Sequence, residues 1–411
     1  MFEINPINFE LSNGIRVIFT KTDAFVAHMG VMIRAGSRFE SEEEEGLAHF
    51  VEHTIFKGTK KRASFDIFSE LDSVGGELNA YTNKEELCIH ASFRKNHLNI
   101  ASGLLGDLVI NPIFPEDEIE KEKGVVEDEI NSYLDSPGDR IQDEFEALLF
   151  KGHSLGYNIL GRKESLATFN QEMLINFVER TFNAENMVIS IVGDYSIDDL
   201  KMMLEKDFEG VRRSPNQNIF VEYKYEDTTF KLRETKSNYQ SHILIGGVAP
   251  SYKKLDRRAM TLIANYLGGP ALNSKLVLSV REKYGYAYNI EANFTPYAEV
   301  GFWSIYAGTD KRYIKDTMRL IFEELDILCD KGLTEKELSE AKEQLKGHIA
   351  LSLDSNMEIM FYLGKSILFH NKVDTIKEIY EQVDEISNED IIDLSKQLFN
   401  RAKVSELIYE F

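Results

Sequence analysis

His49, Glu52 and His53 lie in the stretch GLAHFVEHTIFKGT over residues 46–59. Histidines four apart on a helix project from one face, one turn apart, so both imidazoles reach a single ion. Glu52 sits beside them, where a carboxylate holds a water against that ion. The order H-x-x-E-H inverts the more familiar H-E-x-x-H and reads as a zinc peptidase site. A catalytic zinc takes three protein ligands and leaves one position for water, so a third donor has to come from elsewhere.

The stretch from Glu116 to Asp135 offers one. Its apolar stripe of Ile119, Val126, Ile130 and Tyr133 also contains Glu122 and Glu129, seven residues apart. Carboxylates on a core-facing stripe are costly unless they are paired or bind a metal. By pattern alone a ligand role for Glu129 competes with an ordinary solvated acidic face, because Glu118, Glu120 and Glu127 crowd the same helix. The flanks of the five-residue motif favour a metal site. SEEEEG over 41–46 brings negative charge to the helix start, where the dipole favours it, and KGT over 57–59 ends the helix with a glycine.

The elements that must position these residues mix two periodicities. Alternation predicts strands over 15–19, 27–36, 86–93 and 186–194, and again over 242–248, 286–294 and 301–308. Helical spacing covers 45–57, 65–74, 96–110, 116–135 and 140–150. The two kinds do not strictly alternate. An α+β fold is therefore expected, with mixed, largely antiparallel sheets packed against helices.

The polar segment GVRRSPNQN over 210–218, with Pro215, breaks the pattern near the midpoint. It predicts two domains of about 200 residues, 1–212 and 221–411, joined by a linker over 213–220. The halves look alike. Residues 111–136 and 330–355 register without gaps when Asp135 is laid on Asp354, a shift of 219 that indicates duplication. Under this shift Glu122 falls on Ala341, Glu129 on His348, and the H-x-x-E-H region near Leu267-Gly268-Gly269, so the second half carries no metal site.

Composition narrows the partners. The 411 residues carry a net charge of −22, which argues against nucleic acid because phosphate contacts need a basic surface. The two cysteines, Cys88 and Cys329, exclude a disulfide framework and fit a reducing compartment. No signal peptide, transit peptide, lipidation motif or membrane-spanning run is visible, so a cytoplasmic protein without a membrane partner is expected.

The chain resembles the insulinase, pitrilysin and mitochondrial-processing-peptidase family of inverted-motif zinc peptidases over nearly its whole length. LSNGIRV (11–17), GSRFE (36–40) and GLAHFVEHTIFKGT (46–59) resemble the family's N-terminal strands and zinc helix. GGELNAYT (75–82) is similar to its substrate-binding edge strand, and EKGVVEDEINSYLDSP (122–137) to its third-ligand helix. LGRKES (160–165) and NMVISIVGD (186–194) match further landmarks, and NYLGGPALNSKLVLSVREKYGYAY (265–288) resembles the glycine-rich segment that precedes R-E-x-x-G-x-A-Y.

The resemblance implies roles residue by residue. His49, His53 and Glu129 are the implied zinc ligands, one Zn2+ per chain, with Glu52 as catalytic base and Glu122 as a supporting acid. Arg281 and Tyr288 are implied to hold the substrate carbonyl opposite the zinc, and Asn79, Ala80 and Thr82 lie on the strand that pairs with an extended peptide. Tyr286 departs from the pattern, which more often has leucine there. Family members of this length look like half of the longer single-chain enzymes and clamp in pairs around a closed chamber. A homodimer in which Arg281 and Tyr288 reach the partner's zinc is the simplest assembly, a heterodimer with a paralogous chain the subsidiary one. The expected activity is that of a zinc endopeptidase cutting peptides or short unstructured segments; the alternative is a catalytically silent, chaperone-like assembly subunit.

Overall fold

A computed structural model describes residues 5–214, 223, 229–236 and 239–411. The linker expected over 213–220 lies, from 215 onward, outside the described residues. The chain divides into two units. Unit 1 comprises Met1–Ser132, Tyr157–Val221 and Ser352–Thr375, and unit 2 comprises Tyr133–Gly156, Glu222–Leu351 and Ile376–Phe411.

In unit 1, β1 (Ile7–Glu10), β2 (Arg16–Lys21), β3 (Val26–Ile33), β4 (Glu77–Thr82), β5 (Leu87–Arg94) and β6 (Met187–Gly193) form one sheet in the order β1-β2-β6-β3-β5-β4. Only β2 and β6 pair in parallel; the other neighbours are antiparallel. β6 is buried along its entire length, which is why MVISIVG reads as a continuous apolar run instead of an alternating one. One face of the sheet packs on α1 (Leu47–Thr54), α2 (Leu98–Ile110) and α3 (Glu116–Leu134), through Val17, Met29 and Val31 against Phe50, Val51, Leu104, Val126 and Ile130.

Unit 2 holds α4 (Pro137–Leu149), β7 (Lys231–Thr235), β8 (Ser241–Ala249), α5 (Arg257–Gly268), β9 (Ala287–Pro296), β10 (Gly301–Thr309), α6 (Glu335–Ser352) and β11 (Ser405–Glu410). Its strand order is β7-β11-β8-β10-β9, with β7 and β11 parallel and the rest antiparallel. This is the topology of β2-β6-β3-β5-β4, as a duplication requires. Every strand expected from alternation is present. β1, β4, β7 and β11 were not among those runs; β1 and β7 are short and almost wholly exposed, which leaves no apolar alternation to see.

One exchange between the halves was not legible. α4 follows α3 directly in the chain but packs in unit 2, where Ile141, Phe145 and Leu149 meet Leu244, Phe302 and Leu407. Conversely α7 (Asn356–His370), which follows α6, packs in unit 1, with Met360, Leu363 and Ile367 against Met32, Val188 and Val192. The seat is close. A Cβ at Gly30 would lie 2.6 Å from the Met360 sulfur, and one at Gly364 2.3 Å from that of Met32. The Ser190 hydroxyl also donates to the Met360 carbonyl at 2.7 Å. Among the described residues no helix is long and apolar enough to cross a membrane, and both cysteines are free.

The start of α1 is fixed by backbone packed on backbone. Gly46 at the N-cap has φ +95° and lies against Gly161, itself at φ +75°. An added Cβ on Gly161 would stand 2.4 Å from the Glu45 carbonyl oxygen and 2.7 Å from the Gly46 Cα. Around it, Arg162 pairs with Glu45 at 2.6 Å and the Ser165 hydroxyl donates to the Glu45 carbonyl at 2.6 Å. LGRKES thus clamps the entry to α1. Gly75 has the same φ of +75° but nothing within 4 Å of its added Cβ. We therefore expect Gly161→Ala to lower the unfolding free energy by about 2–4 kcal/mol and Gly75→Ala by about 1 kcal/mol. Urea unfolding midpoints measure both, and equal shifts would remove the clamp from the explanation.

Candidate active site

α1 has only eight residues, too few to hold a helix in water without tertiary packing. All but Glu52 and His53 are buried. Its N-terminus is capped by a carboxylate from outside the helix: Glu40 accepts the amides of Gly46 at 2.9 Å and Ala48 at 2.7 Å. Burial pushes the Glu40 carboxyl well above the ordinary carboxylate range, against the pull of those two amides. The acidic run over 41–46 was expected to serve the helix dipole. Instead Glu44 pairs with Arg180 at 2.6 Å and Glu45 with Arg162 at 2.6 Å, while Glu40, one residue upstream of the run, reaches the helix end.

On one face of α1, His49 and His53 stand with ring centroids 4.6 Å apart. α3 brings Glu129 to them, its Oε2 3.8 Å from His49 Nε2 and 3.5 Å from His53 Nε2. Two donors about 2.1 Å from a tetrahedrally bound zinc are separated by about 3.4 Å, so this spacing fits one ion. Among the described residues this is the only group of three or more His, Cys, Asp or Glu able to share a metal. Of the two carboxylates that helix periodicity put on one stripe, Glu129 stands where it could share an ion with both histidines.

The donor chemistry fits as well. Burial, and then the neighbouring His53, lower the His49 pKa to about 3, so its imidazole is neutral, the form that ligates metal. Its Nδ1 is buried without a hydrogen-bond partner, and its Nε2 is beyond hydrogen-bond reach of Glu129. A ring this buried and this poorly satisfied is costly unless a further group engages it.

Glu122 is 8% exposed and lies under His53, its Oε2 3.3 Å from Nδ1. Its other oxygen pairs with Lys57 Nζ at 2.6 Å. A carboxylate on the second ring nitrogen fixes which nitrogen of His53 faces the ligand position. Lys57 was missed, although it lies four residues after His53 and so shares its helix face. Glu52 is half-buried; burial raises its carboxyl pKa, the hydroxyl and amide of Thr82 and the nearby His53 oppose that shift, and Glu129 reinforces it.

Thr82 ends β4, the edge strand of the unit 1 sheet. Asn79 and Ala80 lie on the same strand, where the Ala80 amide donates to the Asn79 side-chain oxygen at 2.9 Å. The second expected pair sits in unit 2, where the Arg281 guanidinium lies over the Tyr288 ring at 5.4 Å and Tyr288 is 81% exposed. The unusual Tyr286 stacks between Tyr284 at 5.2 Å and Tyr313 at 4.6 Å, which explains an aromatic at that position. At the counterpart of the metal site, His348 on α6 bonds Asn265 on α5 at 2.8 Å, and Gln344 bonds Asn273 at 2.9 Å. A network of amides and one imidazole stands there.

The comparisons agree with this layout. The model of the insulinase (peptidase M16) family matches residues 16–163, and that of the M16 inactive domain matches 168–345. An uncharacterized zinc protease of Bacillus subtilis, YmxG, is 35% identical over 404 residues, covering 97% of each chain. One from Mycobacterium leprae is 33% identical over 95% of this chain and 88% of its own. Among solved structures, an M16 inactive domain from Pseudomonas fluorescens superposes with TM-score 0.92 at 20% identity over 99% of this chain and 98% of its own. A protease from Helicobacter pylori does so with TM-score 0.92 at 18% identity, over the full length of both chains.

Removing the donors should separate ligands from supports. His53→Ala or Glu129→Gln is expected to abolish stoichiometric zinc binding, measured by plasma mass spectrometry after gel filtration. Glu122→Gln should keep zinc but weaken it about 10- to 100-fold in competition with a chelator. Undiminished affinity in Glu122→Gln would remove Glu122 from the site.

Proposed function

This chain belongs to the insulinase (M16) peptidase family, and from that premise we propose that it is a zinc-dependent endopeptidase acting on extended peptides or short unstructured segments. The observation that carries the proposal is the convergence of His49, His53 and Glu129 on one point with Glu52 beside them. The B. subtilis and M. leprae relatives are named zinc proteases, which supports zinc as the metal.

A zinc ion held by His49, His53 and Glu129 would act as a Lewis acid and bring the pKa of a bound water to about 7. The protein's own groups do the rest. Glu52, with its pKa raised by burial, accepts a proton from the attacking water and delivers it to the leaving amine. Thr82 opposes the rise that burial imposes on that carboxyl, and Glu122 with Lys57 holds His53 in register. The free edge of β4 takes substrate main chain as an added strand, which reads backbone more than side chains and requires an extended substrate. Arg281 and Tyr288 present a cation and a phenol for the carbonyl oxygen, whose negative charge grows as water attacks.

The assembly we propose is a homodimer enclosing a chamber in the cytoplasm, with Arg281 and Tyr288 of one copy completing the zinc site of the other. Both functional sets reside on one chain, which is what makes two identical copies sufficient.

Two outcomes test this reading. Glu52→Gln should retain zinc and fold while losing about 10²- to 10⁴-fold in kcat on a quenched fluorescent peptide; cleavage at the wild-type rate would end the assignment of the base. Mixing Glu52→Gln protein with Tyr288→Phe protein should restore about a quarter of wild-type activity, since half the dimers are mixed and one of their two sites is intact. No recovery on exchange of subunits would place Tyr288 in the site of its own chain, and Tyr288→Phe protein as active alone as wild type would place it outside the mechanism.

A further inference from the structure

β4 carries two faces. Thr82 and Ala80 point to the side of α1 and Glu52, while Tyr81 points to the opposite side, as alternation along a strand demands. An edge strand has a neighbour on one side only, so its free edge stays straight for a ligand only if something else braces it. That brace is visible at Tyr81. Its ring packs edge-on against Phe361 of α7 at 5.5 Å, and Lys365 of α7 lies 5.1 Å from its centroid.

The polar half of the brace converges on Glu86, in the turn between β4 and β5. The Glu86 side chain is 1% exposed and accepts from the Tyr81 hydroxyl at 3.0 Å and the Asn83 side-chain amide at 2.9 Å. Lys365 Nζ pairs with the same oxygen at 2.7 Å. The Asn83 side-chain oxygen Oδ1 in turn accepts the backbone amides of Glu85 and Glu86, each at 3.0 Å, and the Asn83 backbone amide donates to the Glu86 backbone carbonyl at 2.9 Å. The turn that follows Thr82 is therefore tied to a buried carboxylate, and the countercharge of that carboxylate comes from α7.

We infer that Lys365 and Glu86, acting through Tyr81, are positioning residues that hold the β4 edge extended and Thr82 against Glu52, so that α7 belongs to the substrate-binding apparatus. The inference rests on the proposed peptidase reading for its substrate class. Neither residue touches substrate or metal. Their effect falls on how well an extended chain pairs with β4, and hence on KM more than on kcat.

The experiment compares wild type, Lys365→Met, Lys365→Arg and Tyr81→Phe as full-length, zinc-loaded protein. One quenched peptide of about twelve residues spans β4, and one of about four residues engages little beyond the reacting bond. Lys365→Met is expected to raise KM for the long peptide about five- to twentyfold, with kcat within about threefold and the short peptide unaffected. Lys365→Arg keeps the charge and should stay within about threefold of wild type.

A folded, zinc-replete Lys365→Met with wild-type KM on the long peptide overturns the inference. So does a loss of equal size on both peptides, which marks a merely structural role. If Lys365→Met does not fold, Tyr81→Phe, which removes only the hydroxyl, decides the matter: a KM for the long peptide raised about two- to fivefold supports the inference and an unchanged one overturns it. Wild type that cuts neither peptide sinks the peptidase reading alone. Binding of a fluorescein-labelled long peptide to Glu52→Gln protein, with and without Lys365→Met, then still reads the brace, weaker binding supporting it and equal binding overturning it.

Discussion

The constraint on which the rest of unit 1 depends is that a neutral, buried imidazole must sit within reach of a carboxylate on a different helix. His49 is 7% exposed and its Nδ1 has no partner. Such a residue is placed by its surroundings, since an eight-residue helix has little stability of its own. Glu40 satisfies the first amides, the paired glycines at 46 and 161 set the entry angle, and Phe50 packs on Phe169 at 5.4 Å. Each of these contacts is far from any chemistry, yet a small rotation of α1 would take Nε2 of His49 or His53 off the point they share with Glu129.

Much of this was legible in the sequence because the relevant signals are local. The i, i+4 spacing of His49 and His53 and the i, i+7 spacing of Glu122 and Glu129 are properties of single helices, and both survive in the structure. The contributions of Glu40 and Lys57 were not legible, and Thr82 was placed on the substrate strand without its relation to Glu52. Glu40 acts across a loop, Thr82 across a sheet edge, and Lys57 became visible only once Glu122 was seen to turn one oxygen to His53 and the other away from it. Topology was hidden for the same reason. Nothing in the composition of α4 and α7 says that each covers the sheet of the unit formed mainly by the other half, because an amphipathic helix fits any apolar face of the right shape.

The duplicated half shows what the fold requires without the metal. α5 and α6 keep the relation of α1 and α3, but His348 bonds to Asn265, and Gln344 bonds to both Asn265, at 3.4 Å, and Asn273. Side chains that satisfy one another stand where unit 1 has His49, His53 and Glu129. The sheet order and the helix pair persist, and unit 2 has a cavity of about 510 Å3 lined by Asn265, Gly268, Gly269 and Arg281. The same sheet order and helix pair therefore accommodate either a self-satisfied polar network or the donor set of unit 1.

The donors are also unevenly buried, and the unevenness has a direction. Side-chain exposure is 9% at His49, 23% at His53 and 43% at Glu129, while Glu122 behind them is at 11%. A catalytic metal needs an open position for water and substrate, and the protein leaves that opening where its donors are least covered. On this geometry the closed side is the one sealed by Glu122 and Lys57, and the open side is the one bounded by Glu129, Glu52 and the end of β4. A peptide paired along β4 reaches Thr82 and then the Glu52 carboxylate without crossing the core. The same edge admits only chain that has no strand partner of its own, because a strand already paired in a folded protein has no free main-chain groups to offer. On the proposed peptidase reading, selectivity for extended substrates follows from the edge itself, before any chamber is considered.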